Sequence, residues 1–223
     1  MVVLIGGEKG GTGKTTLATN LAALRSNEGR DVLLVDTDKQ GSASDWAAVR
    51  EEVEGVPRIS CVQVFGKQVT SQVQDLDARY DDLIVDAGGR DSVELRSAMV
   101  VTDRFYVPLQ ASQFDVWTIE RMEELVEQAQ AINPSLQARV FINRASPHPQ
   151  VREAEEAEEI LDEFEHLIFS EVVVHDRIAF RRAASGGIAV TEADSPDPKA
   201  CREVQELYDA IFEQTETAYA QEA

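Results

Sequence analysis

The stretch Glu8-Lys9-Gly10-Gly11-Thr12-Gly13-Lys14-Thr15-Thr16 decides how this chain is read. It lies between the apolar run Val2-Val3-Leu4-Ile5 and the segment Leu17 to Leu24, so a strand, a glycine-rich loop and a helix follow one another. A loop of this kind aims several backbone N–H groups at one point, and the helix N-terminus adds partial positive charge there. Phosphate is the ligand that suits it. Gly10, Gly11 and Gly13 let the backbone curl, and Thr12 and Thr16 complete the cradle. Lys14 is placed to set an ammonium against β- and γ-phosphates, and the Thr15 hydroxyl suits a Mg²⁺ ion.

The later runs place carboxylates beside that loop. Asp31 to Asp36 reads as a buried strand and leads into Asp36-Thr37-Asp38-Lys39-Gln40. Acids at the carboxyl end of a central strand sit where open α/β sheets bind ligands; in isolation, a charged turn would account for the same residues. Tyr80 to Asp86 is an apolar strand ending in an acid, which suits a carboxylate that holds water on Mg²⁺. Further strands are expected at 59–64, at 104–109 with Pro108 marking the end, at 138–144, and from 167 to 174. Helices are expected at 43–51 with Trp46 and Val49 on one face, at 67–79 and at 92–101. The stripe Val116, Ile119, Met122, Leu125, Val126, Ala129 and Ile132 has helical spacing and reads as core. Arg152 to Glu165 is an acidic helix with Ile160, Leu161 and Phe164 as a narrow apolar face. Asp197-Pro198 opens a last helix, with Asp as N-cap, that buries Val204, Leu207, Ile211 and Phe212 and ends in an acidic tail. The alternation predicts one α/β domain over residues 1–223, a doubly wound, mostly parallel sheet with helices on both faces, of the P-loop NTPase type.

Composition narrows the function. The 223 residues carry a formal net charge of −20, to which residues 151–223 contribute −13 and residues 1–150 contribute −7. That acidity argues against a protein that coats nucleic acid with its whole surface and leaves a local basic patch open. No run approaches the length of a membrane span. Cys61 and Cys201 lie far apart, and His148, His166 and His175 are scattered, so neither disulfide nor metal-ligand spacing is evident. A reducing cytoplasm is expected, with no secretory leader and no room before the loop for a separate DNA-reading domain.

The strict pattern G-x-x-x-x-G-K-[ST] fails at Glu8, and the loop reads K-G-G-T-G-K-T-T from Lys9. This resembles the deviant Walker A motif of the ParA/MinD superfamily. With Gly88-Gly89 after Asp86, the chain looks most like the short ParF-like partition ATPases. The resemblance implies that ATP and Mg²⁺ bind here, with Asp36 and Asp86 joining Thr15 around the metal and Asp38 orienting the attacking water. It implies that Lys9 acts across an ATP-dependent homodimer. Asn143, at a strand end, would read adenine, or would serve only as a turn residue. Arg177, Arg181 and Arg182, with Arg177 and Arg181 on one face of a helix, would contact DNA non-specifically, or would pair with the many local acids. Two departures are Lys39 and the Gly88-Gly89 pair, both where the family usually has proline; the glycines suggest a more mobile loop. The function implied is a weak ATPase, stimulated by a small ParB/ParG-like partner, that positions a plasmid, a chromosome locus or another cargo while associated with the nucleoid. A carboxysome-type organelle positioner or a MinD-like membrane switch are alternatives. The latter needs a basic amphipathic C-terminal helix, and the acidic tail predicts no stable membrane anchor.

Overall fold

Seven apolar runs become the seven strands of one sheet in the computed structural model, which describes residues 1–89, 91–110, 116–147, 161 and 164–219, without the side chains of 116 and 213–219. The strands are β1 (Val2–Ile5), β2 (Val32–Asp36), β3 (Ser60–Gln63), β4 (Asp82–Asp86), β5 (Arg104–Leu109), β6 (Gln137–Ala145) and β7 (Leu167–His175). Their order is β3-β2-β4-β1-β5-β6-β7, and every pairing is parallel. The helices are α1 (Lys14–Asn27), α2 (Ser42–Arg50), α3 (Gln68–Asp77), α4 (Val93–Met99), α5 (Val116–Gln130), α6 (Ile178–Ser185) and α7 (Pro198–Tyr219).

Alternation along each strand sends side chains to two cores. Val2 and Leu4 join Leu33, Val35, Leu83 and Val85 beneath α3, α4 and α5; Val3 and Ile5 join Leu34, Ile84, Tyr106 and Phe141 beneath α1, α2, α6 and α7. Both faces are covered, which is why the central strands are apolar throughout rather than alternating in polarity. Val204, Leu207, Ile211 and Phe212 are buried from α7 as expected, and Asp197 caps that helix by accepting from the N–H groups of Lys199 (2.9 Å) and Ala200 (3.3 Å).

Several local expectations change. Ile132 lies beyond α5 and is 72% exposed, so the apolar stripe ends at Ala129. Pro108 sits inside β5 opposite Phe141. It is tolerated because β1 pairs with β5 only as far as Tyr106, which leaves no neighbour on that side to miss its absent N–H. Trp46 and Val49 do face the same way, but Trp46 is buried while Val49 is 45% exposed. The acidic helix expected over Arg152 to Glu165 lies mostly outside the described residues; Leu161 is helical and buried, and Phe164 is not helical.

Candidate functional site

Parallel register carries the acids to one level. Asp36 on β2 lies opposite Asp86 on β4, which in turn lies opposite Ile5 at the end of β1. The loop leaving β1 therefore passes directly over both carboxylates. Gly13 stands at the N-cap of α1 with φ +87°, a left-handed conformation that L side chains rarely adopt, and a Cβ there would come within 2.6 Å of Asn143 Nδ2. The loop, α1, α2 and the segment after β4 border a cavity of about 600 Å³, whose walls include Gly10, Lys14, Thr15, Asp38, Gly89 and Arg144. That volume is in the range that takes a nucleotide-sized ligand.

Lys14 is buried, and its ammonium donates to the Lys9 carbonyl at 2.6 Å and to Thr12 Oγ1 at 3.4 Å. Burial holds its pKa below the usual lysine value, while the Asp86 and Asp38 charges work the other way. The Thr15 hydroxyl donates to Asp86 Oδ2 at 2.6 Å. Asp86 is fully buried, and its other oxygen, Oδ1, has no hydrogen-bond partner. Burial pushes its pKa up to about 7; the Thr15 bond opposes this and the nearby Asp36 charge adds to it. A buried carboxylate oxygen without a donor, next to a threonine hydroxyl and below a phosphate loop, fits a divalent cation or its water shell. Among the described residues no group of three or more His, Cys, Asp or Glu could cage a metal without outside ligands. Mg²⁺ takes one or two carboxylates together with substrate phosphates.

Asp36 is placed less simply than the motif suggested. Its Oδ2 accepts from the N–H (3.0 Å) and hydroxyl (2.9 Å) of Ser44, and its Oδ1 accepts from the Asp38 N–H (3.1 Å). It thus ties the end of β2 to the first turn of α2 and keeps little free acceptor capacity. Asp38 accepts from the Gln40 N–H at 3.0 Å and lines the cavity. Cys61 meets Ser44 Oγ at 3.6 Å, and burial pushes its thiol up to about 11, which agrees with a packing role rather than a reactive one.

Lys9 is half-buried, and Thr12 and Thr16 lie on the loop and the first turn as expected. Asn143 is buried and donates to the Thr12 carbonyl at 2.5 Å, so it braces the phosphate loop. The next residue, Arg144, has φ +57° and donates to the Gly11 carbonyl at 2.5 Å. Sequence reasoning missed Arg144 and Ser44; the adjacency of Arg144 to Asn143 was the one available signal. Gly89 also meets a need for space: a Cβ there would lie 2.7 Å from the N and Cα of Gly10 and from the Lys9 carbonyl. Only glycine permits that approach of the two loops.

Arg177 and Arg181 border one cavity and Arg182 another groove. Arg177 precedes α6 rather than belonging to it, and it donates to Glu203 through Nε (3.0 Å) and Nη2 (2.5 Å). This is the pairing with a local acid that stood as the alternative to DNA contact. Arg181 is exposed, 3.8 Å from Asp176, and Arg182 is exposed beside a groove that also holds Glu54, Asp194 and Asp197. No helix among the described residues is long and apolar enough to cross a membrane.

Comparison with known proteins agrees with this geometry. The family model for the CobQ/CobB/MinD/ParA nucleotide binding domain matches residues 3–190. The maintenance of carboxysome distribution protein A of Halothiobacillus neapolitanus is 27% identical over 211 residues, covering 92% of this chain and 93% of that protein. The chromosome-partitioning ATPase Soj of Thermus thermophilus is 30% identical over 161 residues, covering 60% and 65%. Apo McdA of Cyanothece shares the fold with a TM-score of 0.74 at 17% identity, over 94% of this chain and 98% of that one.

Proposed function

The chain belongs to the CobQ/CobB/MinD/ParA nucleotide-binding domain family, a family of ATPase domains, and on that premise we propose that it is a ParA-type ATPase whose ATP-bound homodimer binds DNA non-specifically and positions a cargo. The observation that carries the ATPase reading is the Thr15–Asp86 pair, with its unpartnered buried oxygen, beneath a phosphate loop that holds Lys14. ATP is the substrate. Gly10, Gly11, Thr12, Gly13 and Thr16 bind its phosphates, and Lys14 places positive charge on the β- and γ-oxygens. Thr15 and Asp86, with Asp36 behind them, would hold Mg²⁺, which would supply charge neutralisation at the phosphates. Asp38, at the cavity wall, orients the water that attacks the γ-phosphate. Lys9 acts on the partner protomer's phosphate in the dimer, so that hydrolysis and dissociation are linked. A small partner protein speeds the step.

Arg181 and Arg182 are the remaining candidates for DNA contact, since Arg177 is held by Glu203. The surrounding acids predict a weak, salt-sensitive interaction. The cargo is a DNA locus or a protein organelle. The match along nearly the whole chain to a protein named for carboxysome distribution favours the second of these.

The test is ATP turnover together with DNA binding in ATP, ADP or no nucleotide, across a salt series, for the native chain, Asp38→Ala and Arg181→Ala/Arg182→Ala. Binding that requires ATP, strengthens in Asp38→Ala and weakens with salt and with the arginine changes supports the proposal. No turnover, with or without DNA, removes the ATPase reading. Turnover without DNA binding in the ATP-trapped dimer leaves a positioning ATPase that uses another surface.

A further inference from the structure

The crossing from β7 to α6, residues 175–177, is held from behind by one carboxylate. Glu203 on α7 accepts from the His175 N–H (3.1 Å) and from Arg177 Nε (3.0 Å) through Oε2, and it meets His175 Nδ1 (2.8 Å) and Arg177 Nη2 (2.5 Å) through Oε1. The Glu203 and Arg177 side chains are only 10% and 15% exposed. Asp176, between them, has attachments of its own. The Asp176 N–H donates to the Ala145 carbonyl at 3.0 Å, and the Asp176 carboxylate faces Arg144 and Arg181, each at 3.8 Å.

Beside this crossing lies another cavity, of about 140 Å³, whose walls include Gly13, Thr16, Asn143, Asp176, Arg177 and Phe180. Gly13, Thr16 and Arg144 line both this cavity and the larger one over the phosphate loop, so the two adjoin. A ligand whose phosphates lie on the loop has this space for its other end. Glu203 touches neither cavity, yet it fixes the residues that form one wall.

We propose that Glu203 is a positioning residue for the base-and-ribose end of the nucleotide, through which the C-terminal helix sets nucleotide affinity without touching the ligand. The inference rests on the ATPase reading. A carboxylate with four contacts to the residues of this crossing restricts how that wall can move, and its loss leaves Arg177 largely buried and without its counter-charge. The wall then relaxes, while the phosphate loop keeps its own supports from Asn143 and Arg144.

The experiment compares ATP with inorganic tripolyphosphate, which has neither base nor ribose, in direct binding and in steady-state turnover. The variants are Glu203→Gln and the paired change Arg177→Met/Glu203→Met, which removes both charges together and decides the question if Glu203→Gln does not fold. We expect Kd and KM for ATP to rise about tenfold, kcat to stay within about twofold and tripolyphosphate binding to stay within about twofold. Glu203→Met added to Arg177→Met should cost less than about twofold more, because the two act as one unit. Unchanged ATP binding in the folded variants overturns the inference, as does an equal loss for both ligands. A native chain that binds tripolyphosphate but not ATP overturns the ATPase reading and this inference with it, whereas a native chain that binds and hydrolyses ATP isolates any failure to Glu203.

Discussion

Replacing Asp86 with asparagine tests the electrostatics of the site without a ligand. The carboxyl is fully buried, accepts one hydrogen bond from Thr15, and has its pKa raised from 3.8 to about 7. Below pH 3.8 it is protonated both folded and unfolded and adds no pH dependence. Between 3.8 and about 7 the unfolded chain gives up the proton while the folded chain keeps it, so stability falls as pH rises. Above about 7 both states are ionised and the loss is constant. A tenfold difference in proton affinity between the two states is worth about 1.4 kcal/mol, so the full penalty is about 4 kcal/mol, more than half of which develops between about pH 5 and pH 8. The asparagine side chain keeps an oxygen for the Thr15 hydroxyl and cannot ionise. Urea unfolding at about pH 5, 6, 7 and 8, without magnesium or nucleotide, should therefore show the stability advantage of Asp86→Asn growing by about 2–3 kcal/mol across the series. Self-repulsion of this acidic chain affects both proteins alike and drops out of the difference. A constant difference would mean that Asp86 is ionised throughout and that burial does not govern it.

The same proton should leave when metal binds, because a ligating carboxylate must be charged. Calorimetric titration of magnesium and nucleotide at about pH 6, in buffers of different ionisation enthalpy, should show release of close to one proton that is absent in Asp86→Asn. Gly89→Ala puts a methyl group 2.7 Å from the Gly10 backbone, which cannot rotate away. We expect a stability loss of about 1–3 kcal/mol and weaker ATP binding, read by urea unfolding and equilibrium titration. Gly88→Ala, whose Cβ would lie 3.3 Å from the Asp38 carboxylate, should be milder. Arg50 is buried in a bidentate pair with Glu192, both contacts at 2.7 Å, and also donates to the Gly187 carbonyl. Arg50→Ala should cost about 3–5 kcal/mol in unfolding free energy because it strands the Glu192 charge, and Arg50→Met/Glu192→Met should recover most of that.

Much of the nucleotide end was readable in sequence because it rests on local rules. The phosphate loop, the run to Asp36 and the run to Asp86 each combine a buried parallel strand with a chemically distinct ending, and the structure brings those endings together by register alone. What stayed hidden depends on distant partners. Helical spacing linked Arg177 to Arg181, but helix α6 begins at Ile178, and Arg177 turns instead to a residue 26 positions later. Asp36 was legible as an acid at a strand end but not as the anchor of Ser44, since a carboxylate in a turn looks the same whichever donors it finds. Gly88-Gly89 suggested freedom by composition, whereas at Gly89 the need is space, which only the neighbouring loop reveals.

The strand order also has a consequence for synthesis. β1 lies at the middle of the sheet, with β4 on one side and β5 on the other, so the phosphate loop is made well before either of its walls. Asp36 emerges next, then Asp86 with the glycines that close over the loop, then Asn143 and Arg144, and Glu203 after them. A growing chain that has reached β5 already holds the residues that grip phosphate, while the brace behind residues 175–177 has yet to be made. Phosphate binding should therefore precede full nucleotide binding on the nascent chain, and stalled chains of increasing length would show the two arriving in that order.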